Sequence, residues 1–462
     1  MNGIKKILSN LPEVTKPTQK KLSFNEKFKW TLIVLILFFV LGLIPLWGLG
    51  ANELNRFQIL SIILGAEFGS ILSLGIGPLV TASIVLQLLV GAKIINIDTK
   101  TDEGKQFFTG LQKVTSVFFV LFEAIIFVTM GGLRPALGFS PGVLIFQLFI
   151  GGLLVMLMDE VVSKWGFSSG ISLFIAAGVS KSIFVRLLSP FTTAGSLGFP
   201  FRPDVPSSGR LWELIYGLST GEFQTVLLAF FSIFFTVVVF VVAVYIQSMR
   251  VEIPLSFGMV RGHGIRWPLA FMYTSNIPVI LVAALLANVT LWGQLLQNWG
   301  YPLLGTFQQG QPVSGFVAWI TPRSIVESLI QGTFQPIHIL YSLFYVGLMV
   351  GGAILFSFFW VQTAGMDSKS QAKQIMSSGL QIPGFRKDER ILESLLDRYI
   401  TPLTIMGGAT VGLLASLADL SGALTNGTGL LLTVMIIYKL YEEIAQQHMM
   451  DMNPLMRKFV KQ

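Results

Sequence analysis

Few residues of this sequence have types and spacings that could do covalent chemistry. The histidines His263, His338 and His448 lie in separate segments, and none belongs to an HExxH or comparable metal-ligand spacing. GFSSG at 166–170 fits the GxSxG pattern, but a nucleophile elbow needs a strand, a sharp turn, a helix and a triad histidine. Here the pentapeptide sits between long apolar runs, so serine hydrolysis is not expected. No GxxxxGK[ST] phosphate loop is present, so energy must come from outside the chain. The absence of cysteine removes disulfides, thiolate metal sites, Fe–S clusters and cysteine nucleophiles, and leaves the redox compartment open. The expectation is a non-enzyme without cofactor or metal. Inside the apolar runs the ionisable candidates are Glu123, Lys181 and Asp419. A secondary transporter of a small solute, the alternative reading, would need several such ligands at one interface.

The elements that would position these residues are membrane helices. Hydrophobic residues make up 53% of the 462 and charged residues 12%, too apolar for one soluble core. A helix needs about 20 residues to cross the hydrocarbon. Predominantly apolar stretches of that kind run over 31–49, 76–90, 114–133, 143–158, 171–188, 223–247, 269–292, 338–363, 399–417 and 422–439. The second is barely long enough, and 54–73 before it is helical in pattern but interrupted by Gly65, Glu67 and Gly69. Together they read as one broken span, whose membrane part opens Gly-x-Gly-Pro at Gly75, a start that weakens a helix. The rest of 267–322 reads as an apolar external loop.

The net charge of +8 sits between the apolar runs rather than on a soluble face, which fits positive loops facing the cytoplasm better than nucleic acid. With the N-terminus inside, 25 of the 32 lysines and arginines fall in cytoplasmic segments, so both termini are expected in the cytoplasm. Residues 1–29 are mostly polar and lack a cleavage site, which argues for a retained segment. Ile4, Ile7, Leu8 and Leu11 recur there at helical spacing beside Lys5 and Lys6, suiting a helix on the membrane surface or a docking site for a partner helix. A Gly, Pro and Ser-rich external linker at 189–222 divides an N-terminal half (30–188) from a C-terminal half (223–446), with cytoplasmic loops at 248–267 and 366–398 and a tail at 447–462. Five spans per half force the halves into opposite orientations, although no residue-level repeat joins them.

Two helices open with paired β-branched residues on one face: Ile76 and Val80 after the breakers, Ile171 and Ile175 after SSG. Spacing alone reads them as packing. The segments GIGPLVTASIVLQLLVG, SKWGFSSGISLFIAAGVS, SNIPVILVAALLAN, SGLQIPGFRKDERILESLLDRYITPLTIMGG and GTGLLLTVMIIYKLYE, in that order from LPEV at 11–14 onward, closely resemble the SecY family, the large subunit of the protein-conducting channel, in its archaeal and eukaryotic branch.

That resemblance implies an all-α polytopic membrane protein of the cell membrane, with ten transmembrane helices in two inverted five-helix halves and a broken second span. It implies a pore for unfolded secretory polypeptides and their signal sequences, with sideways release of hydrophobic segments into lipid. Carried over by position, the pore ring is Ile76, Val80, Ile171, Ile175, Ile280 and Leu432, all aliphatic here. Such a collar grips no particular sequence and holds back ions by dewetting. The plug half-helix falls at 58–68, with Gln58, Leu60, Ile63, Leu64, Gly65 and Phe68, and its glycines are expected to let it swing away. The lateral gate carries Thr81, Glu123 and Asn288. An intramembrane carboxyl is costly, so Glu123 is expected to be protonated or hydrogen-bonded. Docking of the ribosome or another partner falls on Arg250, Arg261 and Arg266 in one loop and on Arg386 and Lys387 in the next. A SecE/gamma-type subunit and a small beta subunit are the implied membrane partners.

Overall fold

The computed structural model describes residues 13–18, 22–52, 65–91, 94–95, 97, 101–192, 196–202, 205–257, 264–274, 276–308, 311–377, 380–381 and 388–452. The chain is mostly helical, with three small antiparallel sheets. Helix α1 (Phe24–Leu43) starts where Ser23 accepts the Glu26 N–H, and strand β1 (Leu49–Asn52) follows. Helix α2 (Gly77–Gly91) has 15 residues, about 22 Å of rise against a hydrocarbon core of about 30 Å. The second span therefore depends on the turns at 65–76 that precede it. Helix α3 (Asp102–Thr129) is capped by Thr101, and strand β2 (Leu133–Pro135) pairs with β1. Helix α4 (Pro141–Trp165) opens on Ser140 with proline in its first turn, and α5 (Gly170–Leu188) ends the first half. Within 189–222 lies α6 (Arg210–Thr220).

The second half runs α7 (Phe223–Ser248), β3 (Arg250–Phe257), β4 (Gly264–Ala270), α8 (Ile277–Asn298), β5 (Thr306–Gln308), β6 (Gln311–Ser314), α9 (Phe316–Ile320), α10 (Ile325–Ile330), α11 (Ile337–Thr363), α12 (Ser368–Ser377), β7 (Leu380–Gln381), α13 (Glu389–Leu420) and α14 (Gly427–Met452). Among the described residues α3, α4, α5, α7, α8, α11 and α13 are long and apolar enough to cross a membrane. Helix α1 carries Glu26, Lys27 and Lys29 in its first turns, and α14 turns polar beyond Lys439.

Two spans begin elsewhere than their hydropathy indicates. The seventh was expected near 269, yet Gly264–Ala270 is a strand and α8 starts at Ile277 with proline in its first turn. Period-two burial explains this: Val251 and Ile253 on β3 sit opposite Leu269 and Trp267 on β4, all facing a second apolar cluster. The ninth was expected from 399, but α13 starts ten residues earlier. Asp388 caps it, and Leu392, Leu396, Ile400 and Leu403 bury one face against the same cluster.

The main core gathers the membrane helices. Helix α2 packs on α3 and, across the seam between the halves, on α8 and α11; on the opposite side α5 packs on α14. The second residue of α5, Ile171, lines the same cavity as Ile436, Lys439 and Glu443, which lie well along α14. The last long helix of each half therefore runs opposite to the other.

Candidate functional site

All six aliphatic positions singled out in the sequence lie in one hydrophobic cluster. Ile76, Val80, Ile175, Ile280 and Leu432 are buried, and Ile171 is partly buried against them. They come from the start of α2, the first two turns of α5, the first turn of α8 and the second turn of α14. On one side of them opens a cavity of about 550 Å³, with Val80, Ile171 and Ile280 in its wall and polar side chains such as Ser83, Gln87, Gln112, Ser172 and Asn276 around it. Three of the six aliphatic positions thus face this cavity beside its polar side chains.

On the other side lies the segment leading into α2. Gly65, Gly69 and Gly75 all have positive φ, at 54°, 97° and 53°. Each thus adopts a left-handed backbone that favours glycine. Serines satisfy the buried turns: Ser70 Oγ donates to the Glu67 carbonyl (2.7 Å), and Ser73 Oγ accepts the Gly69 N–H (2.9 Å). Asn52 donates to the Phe68 carbonyl (3.0 Å), the Ile71 N–H reaches the Ile44 carbonyl (3.0 Å), and Glu67 pairs with Lys181 of α5. Ala66 is buried and the Phe68 ring approaches Phe127. Of the expected plug residues, Gln58, Leu60, Ile63 and Leu64 lie outside the described residues, as do Ile4, Ile7, Leu8 and Leu11 of the N-terminal segment.

The polar trio converges across the seam. Asn288 on α8 donates to Thr81 Oγ1 on α2 (3.0 Å), and that hydroxyl lies 3.1 Å from Glu123 Oε1 on α3 and 2.9 Å from the Gly77 carbonyl. One hydroxyl joins three helices. Glu123 is buried and hydrogen-bonded, as the cost of an intramembrane carboxyl requires. Nearby, Gln112 donates to Ser83 (2.6 Å).

Glu123, Lys181 and Asp419 do not share a site. Glu123 joins Thr81, Lys181 joins Glu67, and Asp419 accepts from Tyr345 (2.6 Å) and from the backbone of Thr428 (2.8 Å). Hydropathy reading had overlooked Glu67 as a partner and passed over Asp159, whose Oδ1 accepts the Ile171 N–H (2.9 Å). Neither contact has a local sequence signal, because each joins residues from different elements. No group of three or more His, Asp or Glu side chains among the described residues is arranged to hold a metal.

Of the basic docking positions, Arg250 pairs with Glu442 of α14. Arg266 lies in β4 opposite Pro254. Arg261, Arg386 and Lys387 lie outside the described residues. Elsewhere on the helix ends Lys164 binds Glu160 (2.7 Å), Glu13 (2.6 Å) and the Val14 carbonyl (2.6 Å), and Lys113 also binds Glu160 (2.7 Å). The Lys164 hydrogen bond holds the Glu13 carboxyl below the usual glutamate range.

Long apolar helices that share one hydrophobic core, with a polar trio across the seam where α2 meets α8, fit a helical membrane channel. The SecY family profile matches residues 70–441. A protein translocase subunit SecY from Methanothermobacter thermautotrophicus is 47% identical over 461 residues, covering 98% of this chain and 97% of its own. A SecY structure described for a plug domain that stabilises the closed state of the translocation channel and maintains a membrane seal is 39% identical, covers 97% of this chain and 98% of its own, and superposes with a TM-score of 0.82. Sec61 from a canine ribosome-channel complex of the endoplasmic reticulum is 38% identical over 97% of this chain and 98% of its own, with a TM-score of 0.80. The chain belongs to the SecY family.

Proposed function

We propose that this chain is the central, pore-forming subunit of a protein translocation channel that passes unfolded secretory polypeptides through its waist and releases hydrophobic segments sideways. The observation that carries this is that Ile76, Val80, Ile171, Ile175, Ile280 and Leu432, from four helix starts, share one hydrophobic cluster, and three of them also line a cavity with polar side chains. An aliphatic constriction offers no fixed charge or directed hydrogen bond to stall a passing chain, and it gives ions nothing to replace their hydration. In this reading residues 58–68 are the plug resting against the far side of the ring. The contacts of Gly65–Gly75 that anchor its exit support that role.

The seam where α2 meets α8 and α11 is the lateral gate, with Thr81, Glu123 and Asn288 as its clasp. The loops at 248–267 and 366–398 face the cytoplasm and receive the ribosome or another driving partner, with Arg261, Arg266, Arg386 and Lys387 as contacts. Arg250, already paired, supports the loop from behind. The setting is the cell membrane with both termini inside, ten spans in all, and a SecE/gamma-type and a small beta subunit alongside.

The test places a photocrosslinker at Ile76 or Ile280 during translocation of a stalled secretory precursor in vesicles. Adducts to the precursor at both positions are expected. Adducts only at lipid-facing controls such as Phe230 would remove the pore reading, and labelling only by small solutes would favour a transporter.

A further inference from the structure

Gly170 and Gly427 open the last long helix of each half. Ile175 and Leu432, both ring positions, each stand five residues past that glycine. Each helix start is met by an aspartate from the preceding long helix. Asp159 of α4 takes the Ile171 N–H at 2.9 Å with the Gly170 N–H beside it, and Asp419 of α13 takes the Thr428 N–H at 2.8 Å with the Gly427 N–H beside it. Ser169, at the usual capping position of α5, makes no side-chain cap. The approach is too close for any side chain on the glycine. A Cβ on Gly170 would lie 2.5 Å from Asp159 Cα, and one on Gly427 would lie 2.0 Å from the Ala418 carbonyl carbon. The Asp159 joint borders the cavity, and the Asp419 joint lies away from it.

We propose that Asp159 and Asp419 are matched positioning residues of the pore ring, each capping from a neighbouring helix the helix that carries Ile175 or Leu432 and so fixing how far that side chain reaches into the waist. The physical case is leverage. Five residues are about 7.5 Å of rise, so a slip or tilt at the capped end passes to the ring side chain nearly undiminished. Helix N-termini leave N–H groups without partners, and in each half a carboxylate satisfies them from outside the helix. The capped helix is thereby referenced to its neighbour and not to its own loop. Tyr345 and Thr428 hold Asp419 in turn. This inference rests on the ring reading above.

The test measures resting ion leak in proteoliposomes holding the full chain with its co-purified subunits. Asp159→Ala and Asp419→Ala are expected to raise leak about five- to tenfold, the population shift that follows from losing one helix cap, while Asn, as good a cap as Asp, keeps leak within about twofold of wild type. That rescue separates positioning from a need for charge. If an alanine form does not accumulate, Asp159→Glu and Asp419→Glu carry the test: the extra methylene displaces the capped helix, and raised leak supports the proposal while wild-type leak overturns it. Ile175→Ser and Leu432→Ser run alongside. Leaky ring variants with tight alanine variants overturn the positioning role alone, and tight ring variants overturn the ring reading and this inference with it.

Discussion

At the scale of single residues, the seam between the halves is closed by a clasp that is strong enough to order three helices and weak enough to yield. Asn288, Thr81 and Glu123 share one hydroxyl oxygen, and an interhelical hydrogen bond in a membrane contributes about 0.6 to 2 kcal/mol. Each factor of ten in an equilibrium is about 1.4 kcal/mol, so Asn288→Leu should change the gate equilibrium by roughly three- to thirtyfold. The expected readout is a shifted hydrophobicity threshold in an insertion assay with graded segments, and an unchanged threshold would remove Asn288 from the gate. The family resemblance picked out the three residues, each inside an otherwise apolar stretch. That a single hydroxyl joins them was not legible in the sequence, because Thr81 and Asn288 are 207 positions apart. Glu13 gives a pH-dependent contact. Its carboxyl titrates below the ordinary glutamate value because of Lys164, so the contact is fully formed above that value and is lost as pH falls through the lowered one. A fluorophore on Thr15→Cys, in a chain with no native cysteine, should gain mobility as pH falls through that lowered value, and Lys164→Met should abolish that step.

At the scale of elements, the second span shows how far pattern carries. Its break was legible from Gly75, Gly77 and Pro78, and α2 does start at Gly77. The fold of the turns before it was not, because it depends on the positive φ of Gly65 and Gly69 and on partners in the α1–β1 connection and α5. The Glu67–Lys181 pair ties the end of the proposed plug to α5. With both side chains 43% exposed, it contributes at most about 1 kcal/mol. Lys181→Glu should therefore raise resting leak only about three- to fivefold, and the exchange Glu67→Lys with Lys181→Glu should restore the seal. A double variant as leaky as the single one would deny the pair any role in seating the plug. The hairpin of β3 and β4 escaped hydropathy because its inward faces alternate over only a few residues, so Leu269 and its neighbours read as the start of a membrane helix.

At the scale of the whole molecule, two seams join the halves, α2 against α8 and α11 on one side and α5 against α14 on the other. The sheet of β3, β4 and β7 with α12 and the start of α13 forms its own apolar cluster, next in sequence to the segments that carry Arg261 and Arg386. Docking through exposed basic side chains is long-ranged and screened by salt. Arg386→Glu should weaken ribosome binding several-fold at low ionic strength with little effect near 0.5 M salt and none on membrane insertion of the channel itself, as read by vesicle flotation; equal binding at low salt would move the docking site elsewhere. Composition, span lengths and charge placement determined by themselves that this is a multi-span membrane protein, since the bilayer reads only hydrophobic length and flanking charge. Family motifs then marked the six aliphatic positions proposed for the waist. Only the tertiary structure decided that Ile76, Val80, Ile171, Ile175, Ile280 and Leu432 fall in one hydrophobic cluster, that Thr81 joins three helices, and that Asp159 and Asp419 accept from the first N–H groups of neighbouring helices. Those relations depend on how helices lie against one another, and spacing along the chain carries no record of that.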